Sequence, residues 1–382
     1  MMEKRSRIRY SIIICMLLLL LIPTSSATNN KALQASKDLR VNFYQESCPQ
    51  AEDIVAKVVI SSFRNDPAIA AGLIRLAFHD CFVNGCDASI LLEKTPTGEK
   101  TERDSPINGQ NMRGLSVIDQ AKKMIEEECP GIVSCADIIQ FAARDSVIMT
   151  GLYHYDVPGG RRDGLVSREK DIEANMPLVV WNVTKMVEIF NEKGLNNEDL
   201  VVLMGAHSVG SAHCPTFYYR AQKNDPKLSS KMSEKMKAAC NKPNFQDMLN
   251  SSLPFDSVSP NLLDTGFYNQ LISGEALIES DQALSLDSRT SKIVYMMASP
   301  NGRWRDEKFV NAMVKMGNIE VKTGTEGEIR KHSQYVNEPS GSNADSGSDA
   351  YSGSDPDNDS TPDINMGPFG NLFPGLIPGI PH

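Results

Sequence analysis

The feature that most constrains the chain is an apolar helical stretch that carries two basic side chains on one face. Residues 75–89 read RLAFHDCFVNGCDAS. Arg75 and His79 are four positions apart, so both leave the same side of a helix. A guanidinium and an imidazole that share one space suit acid–base chemistry on a small substrate. A surface pair, or a core pair with satisfied hydrogen bonds, is the alternative.

The residues just beyond His79 form a short loop rich in oxygen ligands. Cys81 and Cys86 bracket this loop. Closely spaced carboxylate, carbonyl and hydroxyl oxygens favour a hard cation such as calcium. The candidate ligands are Asp80, Val83, Gly85, Asp87 and Ser89.

The N-terminus reads as a secretory signal. Basic residues precede an apolar run over residues 11–22, which ends at Pro23 and the small residues 25–27. A membrane anchor is the alternative, but a span needs about 20 apolar residues. We therefore expect residues 1–27 to be removed and no membrane anchor to remain.

The cysteines and sequons agree with secretion. The chain has eight cysteines, and Cys15 would leave with the signal. Seven would remain, which predicts disulfide bonds with one thiol left over. Sequons at Asn182, Asn250 and Asn358 are compatible with a glycoprotein.

The charge distribution separates a tail from the rest. The net charge of −9 gives no basic face for nucleic acid. Residues 338–382 contain seven acidic residues and no Lys or Arg, and they turn apolar after Asp363. This Gly/Ser-rich tail is predicted to be disordered as far as Asp363.

Helical periodicity dominates between these ends, and strand-like alternation is scarce. The pattern predicts a mainly α fold, as one large domain or two smaller ones. Gly194 and Gly317 stand where helix C-caps belong. The predicted helices cover residues 51–63, 68–81, 112–128, 135–149, 183–192, 197–204 and 309–316.

A second chemical stretch spans residues 199–214, DLVVLMGAHSVGSAHC. An apolar helix runs into Gly205, and His207 lies just past its end. Small neighbours leave room for a flat, bulky ligand beside the imidazole. Among the six histidines, only His79 and His207 have apolar, helical settings. A helix-end cap is the alternative role for His207.

Taken together, these residues resemble the class III secretory haem peroxidases of plants over residues 42–337. The resemblance implies a mainly α, two-lobed domain at residues 28–337, with one haem b between distal and proximal helical halves, and a monomer. The matching motifs occur in the family's order: RLAFHDCFVNGCDASILL, CPGIVSCADI, VPGGRRD, GAHSVGSAHC, ESDQAL and MVKMGNI.

The resemblance implies a division of labour on the distal side. His79 would take a proton from hydrogen peroxide and return it to the leaving oxygen, while Arg75 steadies the developing charge. Asn108, with Glu102 behind it, would hold His79 in its basic tautomer. Phe78 would cover the haem edge.

On the proximal side, His207 would bind the haem iron and Asp281 would accept its second ring N–H. The implied activity is one-electron oxidation of phenolic donors by hydrogen peroxide through oxoferryl intermediates. Phe255 stands beside Asp256, where some intracellular relatives carry a radical-forming Trp. Pro158 fits the donor access channel, but few aromatic residues lie near it, so the preferred donor stays open.

The resemblance also implies two calcium sites and three disulfide bonds. Ser208 and Ser259 replace the usual Thr, so we expect weaker proximal binding. Ser333 stands where the family places the cysteine that pairs with Cys135, which leaves Cys135 as the free thiol. The distal calcium ligands would be those named above, and the proximal ones Ser208, Asp256, Ser259, Leu262 and Asp264. The implied pairs are Cys48–Cys129, Cys81–Cys86 and Cys214–Cys240.

Two other functions fit the same scaffold: a catalytically silent cell-wall protein and a calcium-binding structural glycoprotein. Both are disfavoured because Arg75, His79, Asn108, His207 and Asp281 are all present. We expect a secreted protein of the extracellular space or cell wall. The apolar end of the tail resembles vacuolar sorting segments, and an extension without a function is the alternative.

Truncation after Asn337 should leave peroxidase activity unchanged, because the acidic tail cannot form a core. Steady-state turnover of the shortened protein checks this. Loss of activity would show that the tail packs on the catalytic domain.

Fusing residues 364–382 to a secreted reporter tests sorting, and unchanged secretion would remove the vacuolar hypothesis.

Overall fold

The computed structural model describes residues 38–95, 98–108, 112–300 and 302–338, and for residues 302–305 the backbone alone. The predicted signal at residues 1–27, the tail beyond Glu338 and the sequon at Asn358 lie outside the described residues.

The described chain is mainly helical, as predicted. The helices, numbered in chain order, are α1 (Ala51–Asn65), α2 (Ile69–Asn84), α3 (Leu115–Glu128), α4 (Cys135–Met149), α5 (Glu169–Asn175), α6 (Val183–Glu192), α7 (Asn197–Met204), α8 (Tyr218–Gln222), α9 (Ser230–Cys240), α10 (Phe245–Asn250), α11 (Gly266–Ile272), α12 (Glu279–Leu284), α13 (Ser291–Met297) and α14 (Gly302–Met316).

Every helix predicted from periodicity is present, and α4, α6 and α7 match at both ends. Side-chain caps explain these sharp starts. Ser134 accepts the N–H of Asp137 before α4, and Asn196 accepts that of Asp199 before α7. Each cap satisfies a backbone donor that the first helical turn leaves unpaired.

Periodicity missed the 11-residue helix α9 and the short elements. Helices α5, α8 and α10 to α13 have seven residues or fewer, which is too short for a repeating pattern. The strands β1 (Ser211–His213) and β2 (Ser252–Pro254) pair antiparallel, with Ala212 opposite Leu253. They join the loop after His207 to the segment that contains Phe255.

One large apolar core holds the long helices together. It includes buried residues of α2, α4 and α7, and α2 packs against α4. A second, smaller cluster lies around α8, α9 and the hairpin, with Phe217 and Met236 fully buried. The described residues up to Asn337 fall within one compact unit. Within the described chain, no helix is long and apolar enough to span a membrane.

Of the two predicted C-cap glycines, only Gly194 has the left-handed backbone typical of that role, with φ of +78°. Gly317 follows the end of α14, but glycine is required there because neighbouring atoms pack closely against it. Its carbonyl oxygen accepts two hydrogen bonds from buried Arg161, at 2.8 and 2.7 Å. A Cβ here would lie 2.9 Å from Gln140 Oε1.

The three implied disulfide bonds are present, and Cys135 is free and buried. Ser333, at the position of the missing partner, donates a hydrogen bond to Asp119 of α3, and Gln334 donates a second one at 2.7 Å. Hydrogen bonds therefore hold the C-terminal segment on α3.

Thiol titration of the mature protein should find one group in denaturant and almost none without it. Cys135 is fully buried, and burial raises the pKa of its thiol well above the usual value. Both effects suppress reaction of the folded protein with a thiol reagent. Finding no thiol in the denatured, unreduced protein would overturn this assignment and indicate an intermolecular bridge.

Candidate active site

Helix α2 presents the predicted catalytic pair as expected. The apolar residues around it are buried, whereas Arg75 and Phe78 are half-buried and His79 is 8% exposed. Arg75 Nη2 donates to the carbonyl oxygen of Ile107 at 3.0 Å, which fixes the guanidinium. Burial lowers the pKa of Arg75 to about 10, so it stays charged at neutral pH.

His79 is oriented by a chain of two hydrogen bonds. Its Nδ1 lies 2.6 Å from Asn108 Oδ1, and Asn108 Nδ2 donates to the carbonyl oxygen of Glu102 at 2.8 Å. Because the amide nitrogen is used by Glu102, the oxygen of Asn108 faces the imidazole. Nδ1 therefore carries the ring proton, and Nε2 keeps a free lone pair.

The environment keeps His79 neutral. Burial lowers the pKa of His79 well below its usual value, and the charge of Arg75 lowers it further. The imidazole can therefore accept a proton at neutral pH. Sequence analysis placed Glu102 behind Asn108, and the structure shows that its backbone carbonyl makes the contact. The Glu102 carboxylate turns the other way, and its Oε1 accepts from Asn84 Nδ2 at 2.8 Å.

His207 lies in a single 3₁₀ turn, Gly205–Ser208, directly after α7. Its Nδ1 is 3.1 and 3.0 Å from the two carboxylate oxygens of Asp281, which is buried at the start of α12. The Phe255 ring stacks on the imidazole at 4.2 Å with an interplanar angle of 3°. The ring is therefore fixed, and Nε2 is free to bind a ligand.

The two histidines belong to neighbouring elements. The turn that holds His207 packs beside α2, and the charge of His207 contributes to the lowered pKa of His79. Gly210, with φ of +85°, lies so close to α2 that a Cβ there would be 2.9 Å from Ala71 Cβ. The structure therefore brings the distal and proximal candidates into one region.

The distal oxygen cluster is buried and incompletely satisfied. Asp80 Oδ2 accepts from the N–H of Ala88 and Asp87 Oδ1 from the N–H of Ser89, both at 3.0 Å. Among the described residues, Asp80 Oδ1, Ser89 Oγ and Glu102 Oε2 are buried without a hydrogen-bond partner. Burial and repulsion from Asp87 raise the pKa of Asp80 well above its usual value. Buried carboxylate and hydroxyl oxygens of this kind are the ligands that calcium prefers.

The polar side chains of the proximal oxygen cluster form hydrogen bonds with one another. Ser259 Oγ donates to Asp264 Oδ2 at 2.6 Å, and Ser208 Oγ donates to the carbonyl oxygen of Asp264 at 3.1 Å. The carboxylates of Asp256 and Asp264 both crowd the position of a Cβ at Gly266. The predicted side-chain ligands therefore converge, but their atoms are paired with one another. Leu262, whose carbonyl is the remaining predicted ligand, has an exposed side chain.

No described contact joins Pro158 to these histidines. Its carbonyl oxygen accepts from Arg161 Nη1 at 2.7 Å. The next residue, Gly159, exchanges backbone hydrogen bonds with Arg40 at 3.0 and 2.9 Å. Pro158 therefore lies beside the N-terminal part of the described chain, and its role in donor binding stays a prediction.

Sequence reasoning missed the aromatic support of the site. The Phe78 ring stacks on Phe82 at 4.0 Å, and Phe82 contacts Phe190 of α6 at 4.9 Å. The i, i+4 spacing of Phe78 and Phe82 was a signal for the first contact. Nothing local in the sequence indicated Phe190 or the Ile107 carbonyl.

Comparisons with known proteins identify the family. The peroxidase family model matches residues 55–300. The chain is 43% identical over 312 residues to "Peroxidase 1" of Zea mays, which covers 79% of this chain and 84% of the relative. It is 40% identical to "Peroxidase 5" of Vitis vinifera over 80% and 94% of the two chains. "Peroxidase N1" of Nicotiana tabacum is 42% identical over 78% and 90%.

A helical fold that brings together an oriented neutral histidine, an arginine and a second histidine backed by a carboxylate defines a peroxidase, an oxidoreductase that uses haem. The chain belongs to the peroxidase family, among the class III enzymes of plants.

Replacing Asn108 by Val should slow the reaction of the haem-loaded enzyme with hydrogen peroxide by about tenfold or more, because Nδ1 of His79 loses its acceptor and Nε2 becomes a weaker base. Stopped-flow absorbance measures this rate. Asn175→Val is the matched control, since the Asn175 side chain donates to the Asp171 carbonyl of its own helix. An unchanged rate in the Asn108 variant would contradict the proposed orientation.

Proposed function

We propose that His79 is the acid–base group and Arg75 the electrostatic group of this haem peroxidase. The observation that carries the proposal is the hydrogen bond from His79 Nδ1 to Asn108 Oδ1, at 2.6 Å. It leaves Nε2 as a free base on the face of α2 that also presents Arg75.

The residues on the proximal side fit one haem b. His207 would hold the iron through Nε2, since Nδ1 is occupied by Asp281. A carboxylate partner makes the imidazole a stronger donor and fixes its plane. On the distal side, the half-buried Phe78 would cover the haem edge. Bound haem supplies the iron that binds peroxide and the two electrons for O–O cleavage, which two one-electron oxidations of the donor restore.

Proton transfer is the part of the reaction that the chain itself performs. His79 Nε2 would take a proton from one oxygen of hydrogen peroxide and deliver it to the other oxygen, which leaves as water. Arg75, held at the Ile107 carbonyl, stabilises the negative charge that grows on the leaving oxygen. Asn108 keeps the imidazole in the tautomer that this transfer needs.

We propose that the two oxygen clusters each bind one calcium ion, and that the distal site binds it more tightly. The unpaired oxygens of Asp80 and Ser89 are ligands that a calcium ion would satisfy, together with Asp87 and the carbonyls of Val83 and Gly85. At the proximal cluster, calcium must replace hydrogen bonds among Ser208, Ser259 and Asp264. We therefore propose weaker calcium binding there.

The proposed substrates are hydrogen peroxide and small phenolic donors, the latter near Pro158. We propose that the protein is a secreted monomer of the extracellular space or cell wall, without affinity for nucleic acid. The tail is proposed as a sorting signal for the vacuole. The described sequons, Asn182 and Asn250, are exposed, as glycosylation requires. The complete catalytic set disfavours a silent wall or calcium-binding glycoprotein.

Replacing His79 by Leu should slow the reaction with peroxide by about 100 to 10,000-fold while haem stays bound, because the general acid–base group is lost. Arg75→Leu should cost less, since water partly replaces electrostatic support. Stopped-flow kinetics on the haem-loaded variants measure both rates. Arg289→Leu, at an exposed arginine that pairs with Asp287, is the control. A His79 variant that reacts at the native rate would refute the assignment.

A further inference from the structure

The distal oxygen cluster contains a lysine that the calcium assignment does not use. Lys322, in the segment after α14, places its Nζ 2.5 Å from Asp87 Oδ2. The Asp87 side chain is 2% exposed and that of Lys322 is 30% exposed, so the lysine reaches inward from the surface. Asp87 Oδ1 is already bonded to the N–H of Ser89. Both oxygens of this predicted ligand are therefore engaged.

Lys322 differs from the other cations near the cluster. Arg330 Nη2 donates to the backbone carbonyls of Asp87 and Ala88, at 3.3 and 2.6 Å. Lys193 Nζ donates to the Val83 carbonyl oxygen at 3.5 Å, and its ion-pair partner is the exposed Glu320, at 3.3 Å, outside the predicted ligand set. Within the described chain, the ammonium group of Lys322 makes the direct ion pair with a carboxylate of the cluster.

The remaining carboxylates lack such a partner. Asp80 Oδ1 and Glu102 Oε2 are buried without a hydrogen-bond partner among the described residues. Lys322 and Arg330 therefore both bring positive charge to this cluster, and the Lys322 ammonium group sits on the carboxylate that calcium would use.

We infer that Lys322 is a built-in competitor for the distal calcium ion and sets the affinity of that site. The inference rests on the proposed calcium assignment. Calcium must take Asp87 from the ammonium group or share the carboxylate with it, and two cations on one carboxylate repel each other. Without calcium, the ion pair keeps Asp87 in place, so the loop stays ordered around a positive charge.

Calcium titration tests the inference on the mature, haem-loaded protein after chelator treatment. Lys322→Met should lower the dissociation constant of the distal site by about tenfold or more, since a nearby positive charge is removed. Lys315→Met is the matched control. Lys315 also pairs with a buried carboxylate, Asp199, at 3.0 Å, but Asp199 is not a predicted ligand. The Lys315→Met variant should bind calcium with the same affinity as the native protein.

Thermal unfolding gives a second readout that separates competition from a loss of stability. In chelator, Lys322→Met should melt below the native protein, because its carboxylates have lost their ammonium partner. In saturating calcium that deficit should disappear, since the ion binds the folded state more tightly. Lys315→Met should lower the melting temperature equally in both conditions. Lys322→Arg, which keeps the charge, should retain native calcium affinity.

The outcomes distinguish two failures. A native protein that binds calcium, with a Lys322→Met variant of the same affinity, overturns the competitor role and leaves the calcium site standing. If neither protein binds calcium, the calcium assignment fails and the inference fails with it. A native protein that binds weakly beside a variant that binds well is the result that competition predicts.

Discussion

The burial of helix α2 against α4 is the constraint on which the site depends. Its apolar residues fix the rotation of the helix within the core. With that rotation fixed, the side chains of Arg75, Phe78 and His79 face the space beside the turn that holds His207. The next residue, Asp80, points to the oxygen cluster. The packing of this one helix therefore positions both the candidate acid–base group and the candidate calcium ligands.

Glu102 connects these two functions through separate parts of one residue. Its carbonyl oxygen holds Asn108, which holds His79, while its carboxylate faces the region of Asp80 and Asp87. One residue therefore contacts both the oxygen cluster and the amide that orients His79.

Sequence patterns predicted the long helices except α9, and the family resemblance implied the disulfide pairs and the convergence of His79 with His207. Those features follow from local periodicity, capping residues and family motifs. The missed features depend on distant packing. Lys322 is 235 positions from Asp87 along the chain, and Gly317 is needed because Arg161 approaches it, which no local pattern encodes. The short helices around Phe255 and Asp281 take their form from the second core cluster and the hairpin.

The absorbance spectrum of the purified protein, recorded before and after one equivalent of hydrogen peroxide, tests the central claim most directly. The account predicts a Soret band from haem bound at His207, and a rapid change of that band on mixing that a phenolic donor reverses. A protein that takes up no haem, or a Soret band that peroxide leaves unchanged, would contradict it.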